Sequence, residues 1–190
     1  MAQSDAIRWN KRYQEARGDW HQAARPFLVE NARLLPEHGL ALDLAMGMGQ
    51  NSQFLLERGL EVIGVDISII AARLASQRCP RLMAAVADLE HYRFPPAAFD
   101  VILNLYFLER NWFYEYSRLL KPGGVLVFET LASLMRTVKP ELNPAHLLEP
   151  GELRAAFAGW DILVYREGWV ESAHGHQKAV ASMIARRPTG

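Results

Sequence analysis

Residues 42–51 read LDLAMGMGQN: an apolar run with an acid inside it, two glycines two positions apart, and an amide. Glycine at 47 and 49 lets the backbone take positive φ and approach a ligand closely. The preceding LALDLA (40–45) is a short apolar run bounded by a turn and reads as a buried strand. The following NSQFLLERG has helical periodicity and stops at Gly59. A strand, a glycine turn and a helix in that order place the turn at the carboxyl edge of an open α/β sheet, where such sheets bind ligands.

The same alternation continues outward. EVIGVDI (61–67) reads as a strand, and SIIAARLASQR (68–78) as a helix capped by Ser68 and broken by Pro80. RLMAAVADL (81–89), FDVILNLYF (99–107) and VLVFET (125–130) are further strands, with the helix NWFYEYSRLL (111–120) and the turn KPGG before the last. Five strands that are continuous apolar runs imply a parallel sheet buried on both faces. WDILVYREGW (160–169) and QKAVASMIARR (177–187) are joined by too short a link for a helical crossover, so they should pair antiparallel. The chain, 1–190, is expected to be a single domain. Residues 1–38 form an N-terminal helical cap with a helix over 26–35, and the irregular, proline-containing 131–150 is a candidate substrate lid or a surface connection, followed by the short helix PGELRAAF (150–157).

Composition narrows the partners. Half of the 190 residues are hydrophobic, and 21 Lys and Arg balance 21 Asp and Glu, so no global charge favours nucleic acid or an anionic membrane. No apolar stretch is long enough for a spanning helix, and the polar start lacks the apolar core of a secretory signal. A lone cysteine, Cys79, forms no internal disulfide. A cytoplasmic protein, monomeric or homodimeric, with small-molecule partners is the expectation.

Which ligand suits the turn is decided by the acids. A dinucleotide fingerprint wants G-x-G-x-x-G/A, which Gly47, Gly49 and Ser52 meet only loosely. Asp43, beside the turn, opposes a doubly charged pyrophosphate but welcomes a cation. S-adenosylmethionine carries a sulfonium and an ammonium, has no phosphate and shares the adenosine half of NAD. Asp66, 23 residues after Asp43, stands near the spacing at which an acid accepts from both ribose hydroxyls, and Asp88, at the end of the third strand, is placed to accept from the adenine amino group. Each acid alone also reads as a turn or helix-cap aspartate; together they favour this cofactor over NAD.

At this point the chain resembles the class I S-adenosylmethionine-dependent methyltransferases. The residues that carry the resemblance are ALDLAMGMGQNSQFLLERGLEVIGVDIS, AVADLEHYRF, FDVILNLYFLER and LLKPGGVLVFET. Within that class D-x-A-x-G-x-G-x-N, NLYFLER and LLEPGELRAAF are similar to the small tellurite-resistance-type (TehB-like) methyltransferases. The resemblance implies a Rossmann-like α/β fold with a seven-stranded, mostly parallel sheet in the order 3-2-1-4-5-7-6, the seventh strand antiparallel, and helices on both faces. It also implies that Asp43, Ala45, Gly47 and Gly49 surround the methionine part, with Asn51 just inside the next helix. Asp66 takes the ribose, Ile67 flanks the adenine, Asp88 and Leu89 define its end, and backbone at Asn104 and Leu105 faces the amino group and methyl. Met46 stands where the family commonly has cysteine, with little consequence expected. In similar enzymes the N-terminal helix folds over the cofactor. Trp9 and Tyr13 share a helical face, so Tyr13, or Trp20, is placed to close the pocket, or these aromatics simply anchor the helix.

Transfer from a sulfonium is an in-line displacement, so proximity, alignment and exclusion of water carry the reaction and a base is optional. The N/D-P-P-Y motif of amide-type nitrogen methylation is replaced by NLYF, and Cys79 lies before the third strand, away from where a cytosine-methylating nucleophile would stand. Candidates for acting on the acceptor are Tyr106, Arg110 and His176. Tyr106 also reads as core packing, and Arg110, beside Glu109, as a surface residue. His174 and His176, near Arg166 and Lys178 in sequence, offer an anion-orienting cluster or a base of suitable pKa, or are exposed loop histidines. No metal site is expected. A soft or anionic acceptor is favoured: a chalcogen oxyanion on the resemblance, a thiol or a small metabolite. The competing readings are a noncatalytic cofactor-binding module or partner-dependent subunit, which an exposed patch at Trp112, Phe113 and Tyr114 would favour, and a nicotinamide oxidoreductase.

Overall fold

The structure is a computed structural model that describes residues 2–15, 23–171 and 175–189. Seven strands form one sheet: β1 (Leu40–Leu44), β2 (Glu61–Asp66), β3 (Met83–Val86), β4 (Phe99–Leu105), β5 (Leu120–Leu131), β6 (Asp161–Glu171) and β7 (Gln177–Arg186). Their order is β3-β2-β1-β4-β5-β7-β6. β1 pairs parallel with β2 and β4, β2 with β3, and β4 with β5, while β7 runs antiparallel to both β5 and β6. The expected Rossmann-like sheet and strand order are therefore observed.

Helices α1 (Ala2–Glu15), α2 (Pro26–Glu30), α3 (Gln50–Glu57), α4 (Ile69–Arg78), α5 (Trp112–Leu119) and α6 (Glu152–Ala156) surround the sheet. Because side chains alternate along a strand, β4 sends Val101, Leu103 and Leu105 to a core shared with Phe27, Leu28, Leu55 and Ile184. Ile102 goes to the other face, with Trp112, Tyr116, Phe128 and Phe157. The continuous apolar runs thus have a physical cause: both faces of the sheet are covered.

Two sequence expectations are corrected. The helix expected over 26–35 stops at Glu30 and resumes as a single 3-10 turn, Ala32–Leu34. The Asn31 side chain donates to the Phe27 carbonyl, drawing off an acceptor that a continuing helix would use. Phe27 and Leu28 are buried in the core, so α2 is part of the domain body. The segment 131–150 is also less irregular than it reads, with 3-10 turns at Ser133–Thr137 and Pro144–His146. Its ends are bridged where the Leu148 amide donates to the Leu131 carbonyl and the Ser133 amide to the Leu148 carbonyl, and Leu147 and Leu148 are buried.

Gly64 in β2 has a packing reason. A Cβ there would lie 2.2 Å from the sulfur of Met46, which fills the space under the strand.

Candidate functional site

The chain leaves β1 through alternate left-handed residues: Ala45 (φ 52°), Gly47 (59°) and Gly49 (77°). This lifts the backbone over the carboxyl edge of the sheet, and Gly49 becomes the N-cap of α3. Ala45, the one member with a Cβ, bears the strain of roughly 1–2 kcal/mol that a side chain meets in this region. A Cβ at Gly49 would stand 3.0 Å from that of Ala75, so the second glycine lets the turn pack against α4. The Cys79 thiol, on the same helix end, donates weakly to the Gly49 carbonyl at 3.9 Å, a structural use of the lone cysteine.

Asp43 sits one residue before the end of β1 and is 1% exposed. Its Oδ2 accepts from the Ser52 hydroxyl at 2.6 Å, so the acid ties the strand to the first turn of α3. Burial, with Asp66 adding repulsion, pushes its pKa up to about 7 although Ser52 opposes the shift. Asp66 ends β2; its Oδ2 accepts from the Gly47 amide (3.0 Å) and its Oδ1 from the Ser68 amide (2.8 Å). Each carboxylate oxygen can accept twice, so capacity for hydroxyl donors remains on the same group. Burial also raises the Asp66 pKa, against those backbone amides.

Asp88 lies two residues beyond β3, in a turn, and does not end the strand as expected. Its Oδ1 accepts from the Glu90 amide at 3.0 Å, while Oδ2 is buried with no hydrogen-bond partner and has His91 Nε2 at 3.9 Å. A buried acceptor costs free energy until a donor reaches it, and an exocyclic amino group is such a donor. Ile67 is half-buried and Leu89 buried on either side of this rim. Asp88, Glu90 and His91 also bring ligand-type atoms within 4.8 Å of one another, but Glu90 and His91 are open to solvent and nothing further marks a cation site.

Asn104 is buried, its Nδ2 donating to the Tyr116 hydroxyl and its Oδ1 accepting from the Phe107 amide. Its side chain thus serves α5, which leaves the backbone at Asn104 and Leu105 as the part on the rim. The Asn51 side chain accepts from the Arg25 amide at 2.9 Å and so holds the residue before α2 against α3.

Helix α1 lies over this rim. A Cβ on Gly47 would meet the Tyr13 hydroxyl at 3.0 Å, and burial together with the charge of Asp66 raises the phenol's pKa. Asn10, one turn earlier, accepts from the Ser68 hydroxyl at 2.7 Å, while Ser68 caps α4 by accepting from the Ala71 amide. Trp9 stacks on Tyr13 with ring centroids 5.9 Å apart. Trp20 and His174 fall outside the described residues.

The acceptor candidates separate. Tyr106, just after β4, has φ 71° and is held at both ends: its amide donates to the Glu129 carbonyl (2.7 Å) and its hydroxyl to Glu129 Oε1 (3.2 Å). Burial and the Glu129 charge keep the phenol protonated. Arg110 is engaged within the fold. Its Nε and Nη2 grip both carboxylate oxygens of Glu152 at 2.6 and 3.0 Å, and its Nη1 and Nη2 donate to the carbonyls of Ala145 and Leu147. It spends four of its five N–H donors on this segment and is the tie that holds 144–152. Arg110→Ala is expected to cost about 1–3 kcal/mol and to speed amide exchange at Leu147 and Leu148 with donor affinity unchanged. Slow exchange combined with lost turnover would return it to the acceptor site. His176 is exposed beside β7, at the end of the hairpin that carries Lys178. Glu129, Arg25 and Asn10 went unnoticed in the sequence. Glu129 had one usable signal: an acid at the end of an apolar strand.

The sheet order and the left-handed turn after β1, with acids on its rim, give the chain the fold of the class I methyltransferases. Residues 41–124 match the methyltransferase domain family. A SAM-dependent methyltransferase of Methanosarcina mazei superposes with a TM-score of 0.71 at 20% identity, over 89% of this chain and 100% of that one. TehB of Haemophilus influenzae gives the same score and identity over 84% and 61%. In sequence the chain is 31% identical over 106 residues to the demethylmenaquinone methyltransferase of Tropheryma whipplei (strain Twist), 52% of this chain and 44% of that protein, so it spans less than half of that relative's length.

Proposed function

We propose that this protein is an S-adenosylmethionine-dependent methyltransferase that acts on a small soft or anionic acceptor. The observation that carries the reading is the buried acid pair, Asp43 and Asp66, on either side of a left-handed turn, with a partnerless Asp88 oxygen at the adenine end. Two nearby buried carboxylates with raised pKa values are costly without a cation. That favours a sulfonium and ammonium ligand and disfavours a pyrophosphate.

S-adenosylmethionine supplies, when bound, a methyl group already activated for displacement. The chain's part is placement. Asp43, through Ser52, keeps the turn and α3 in register; Asp66 fixes the Gly47 amide; Tyr13 shields the turn from water. Tyr106, protonated and with its one O–H given to Glu129, serves as a wall and not as a base. Acceptors that arrive already nucleophilic, such as a thiolate, suit this arrangement. The noncatalytic reading loses its feature, since Trp112 is buried, Phe113 half-buried and only Tyr114 exposed.

Calorimetric titration with S-adenosylmethionine, S-adenosylhomocysteine and NADH in parallel tests the proposal. Saturable binding of the first two and none of NADH is expected; NADH binding alone would end the methyltransferase reading.

A further inference from the structure

The rim has a second electrostatic half. Arg25 places its guanidinium 4.6 Å from the centroid of the Tyr106 ring, and Lys178 places its ammonium 5.4 Å from the same centroid. The ring is immobilised by Glu129 at its backbone and at its hydroxyl, so it is a rigid floor for both cations. Arg25 is fixed in turn through its amide to Asn51, and Lys178 through its place in β7.

Neither cation is neutralised. Among the described residues, neither side chain makes a hydrogen bond or an ion pair within 4.0 Å. Glu129, the nearby acid, is already engaged: its Oε2 accepts from Arg166 at 3.1 Å and from the Ser182 hydroxyl at 2.7 Å. Arg166 is shared further with Glu30 at 3.5 Å and so belongs to that paired network. Lys178 is half-buried and faces Arg25, Lys139 and Arg12 as repelling charges, with Glu129 the one attraction; burial and Arg25 lower its pKa most. Two half-buried cations against one aromatic ring, with local carboxylate charge spent elsewhere, hold an uncompensated positive potential. A cation–π contact offsets part of it for each cation, and a charge-assisted hydrogen bond to an anion offsets more.

We propose that Arg25 and Lys178, converging on Tyr106 at the carboxyl end of β4, bind an anionic handle on the methyl acceptor, a carboxylate or a phosphate separate from the atom that is methylated. The inference rests on the methyltransferase reading. The handle and the nucleophile are distinct for a chemical reason: hydrogen bonds from two cations withdraw electron density and would blunt a nucleophile they held directly. The acids around the glycine turn and the cations on Tyr106 then sort a cationic donor and an anionic acceptor to opposite sides of one rim.

The test uses the full chain saturated with S-adenosylhomocysteine, titrated with sodium phosphate and with sodium malonate at constant ionic strength, with chloride as the control, and followed by NMR shifts of the tyrosine rings. Saturable shifts with either anion beyond the chloride control are expected, and the anion that binds tells phosphate from carboxylate. Arg25→Met and Lys178→Met should each weaken that binding roughly tenfold, Lys178→Arg should retain it, and S-adenosylhomocysteine affinity should be unchanged in all three. No shift beyond chloride with either anion, or undiminished binding in both Met variants, would overturn the proposal. Failure of the wild-type chain to bind S-adenosylhomocysteine would instead strike the methyltransferase reading, and the anion titrations, repeated without it, would still decide the cation pair.

Discussion

Asp43→Asn is expected to abolish most donor binding while making the ligand-free protein more stable. The two effects share one cause. A carboxylate 1% exposed, with Asp66 close by, has its pKa pushed from 3.8 to about 7. The folded state therefore holds a proton that the unfolded chain has released across the window between those values. Stability from this group is fully present below pH 3.8, declines as pH rises and is lost above about 7. Asparagine removes that decline, so relative to wild type the variant gains on the order of 4 kcal/mol at pH 8 and nothing at pH 3. Affinity for S-adenosylmethionine falls roughly a hundredfold, since the negative charge that attracts it is gone. The wild type should likewise bind more weakly as pH falls through about 7. Denaturant titrations at both pH values and calorimetry at pH 8 check this. Unchanged binding with unchanged stability would mean that Asp43 acts only as a hydrogen-bond acceptor for Ser52.

The second large effect lies under the turn. In Gly64→Ala the new methyl would stand 2.2 Å from the Met46 sulfur, and Met46 is buried with little room to turn aside. Overpacking of this kind costs about 1–3 kcal/mol. Met46→Cys in the same chain vacates the contested volume, so the double variant should recover most of the loss, while Met46→Cys alone is destabilising through the cavity it leaves. A thermodynamic cycle over the four proteins measures the coupling. Additive losses would show that the strand yields elsewhere and that the two residues are not a packing pair. The pair also explains how Met46 stands where similar enzymes commonly have cysteine: glycine across from it makes the space.

How far the sequence could be read followed the range of the interactions involved. Period and turn chemistry are local, so the parallel strands, the left-handed glycine turn and the antiparallel hairpin were legible from runs such as VILNL and from the short link before Gln177. The acids at 43, 66 and 88 were legible because strand ends on a shared rim are implied by the sheet, although Asp88 stands two residues beyond its strand. Partners distant in sequence were not legible. Arg110 beside Glu109 reads as a surface charge until Glu152, 42 residues on, is seen to occupy it. Arg25 and Lys178 meet on Tyr106 only because α3 holds the one and β7 places the other. The break at Asn31 depended on a side-chain bond to Phe27 that no periodicity records.

The roof formed by α1 has a kinetic meaning. Tyr13 stands over Gly47, and Asn10 is bonded into the cap of α4, so the helix is fastened both to the glycine turn and to the element that follows Asp66. Release of a molecule held beneath Tyr13 is expected to wait on those fastenings. The lifetime of the docked helix is then a clock on exchange, and an Asn10→Ala chain, with one fastening cut, would let the site empty and refill sooner at little change in what it holds.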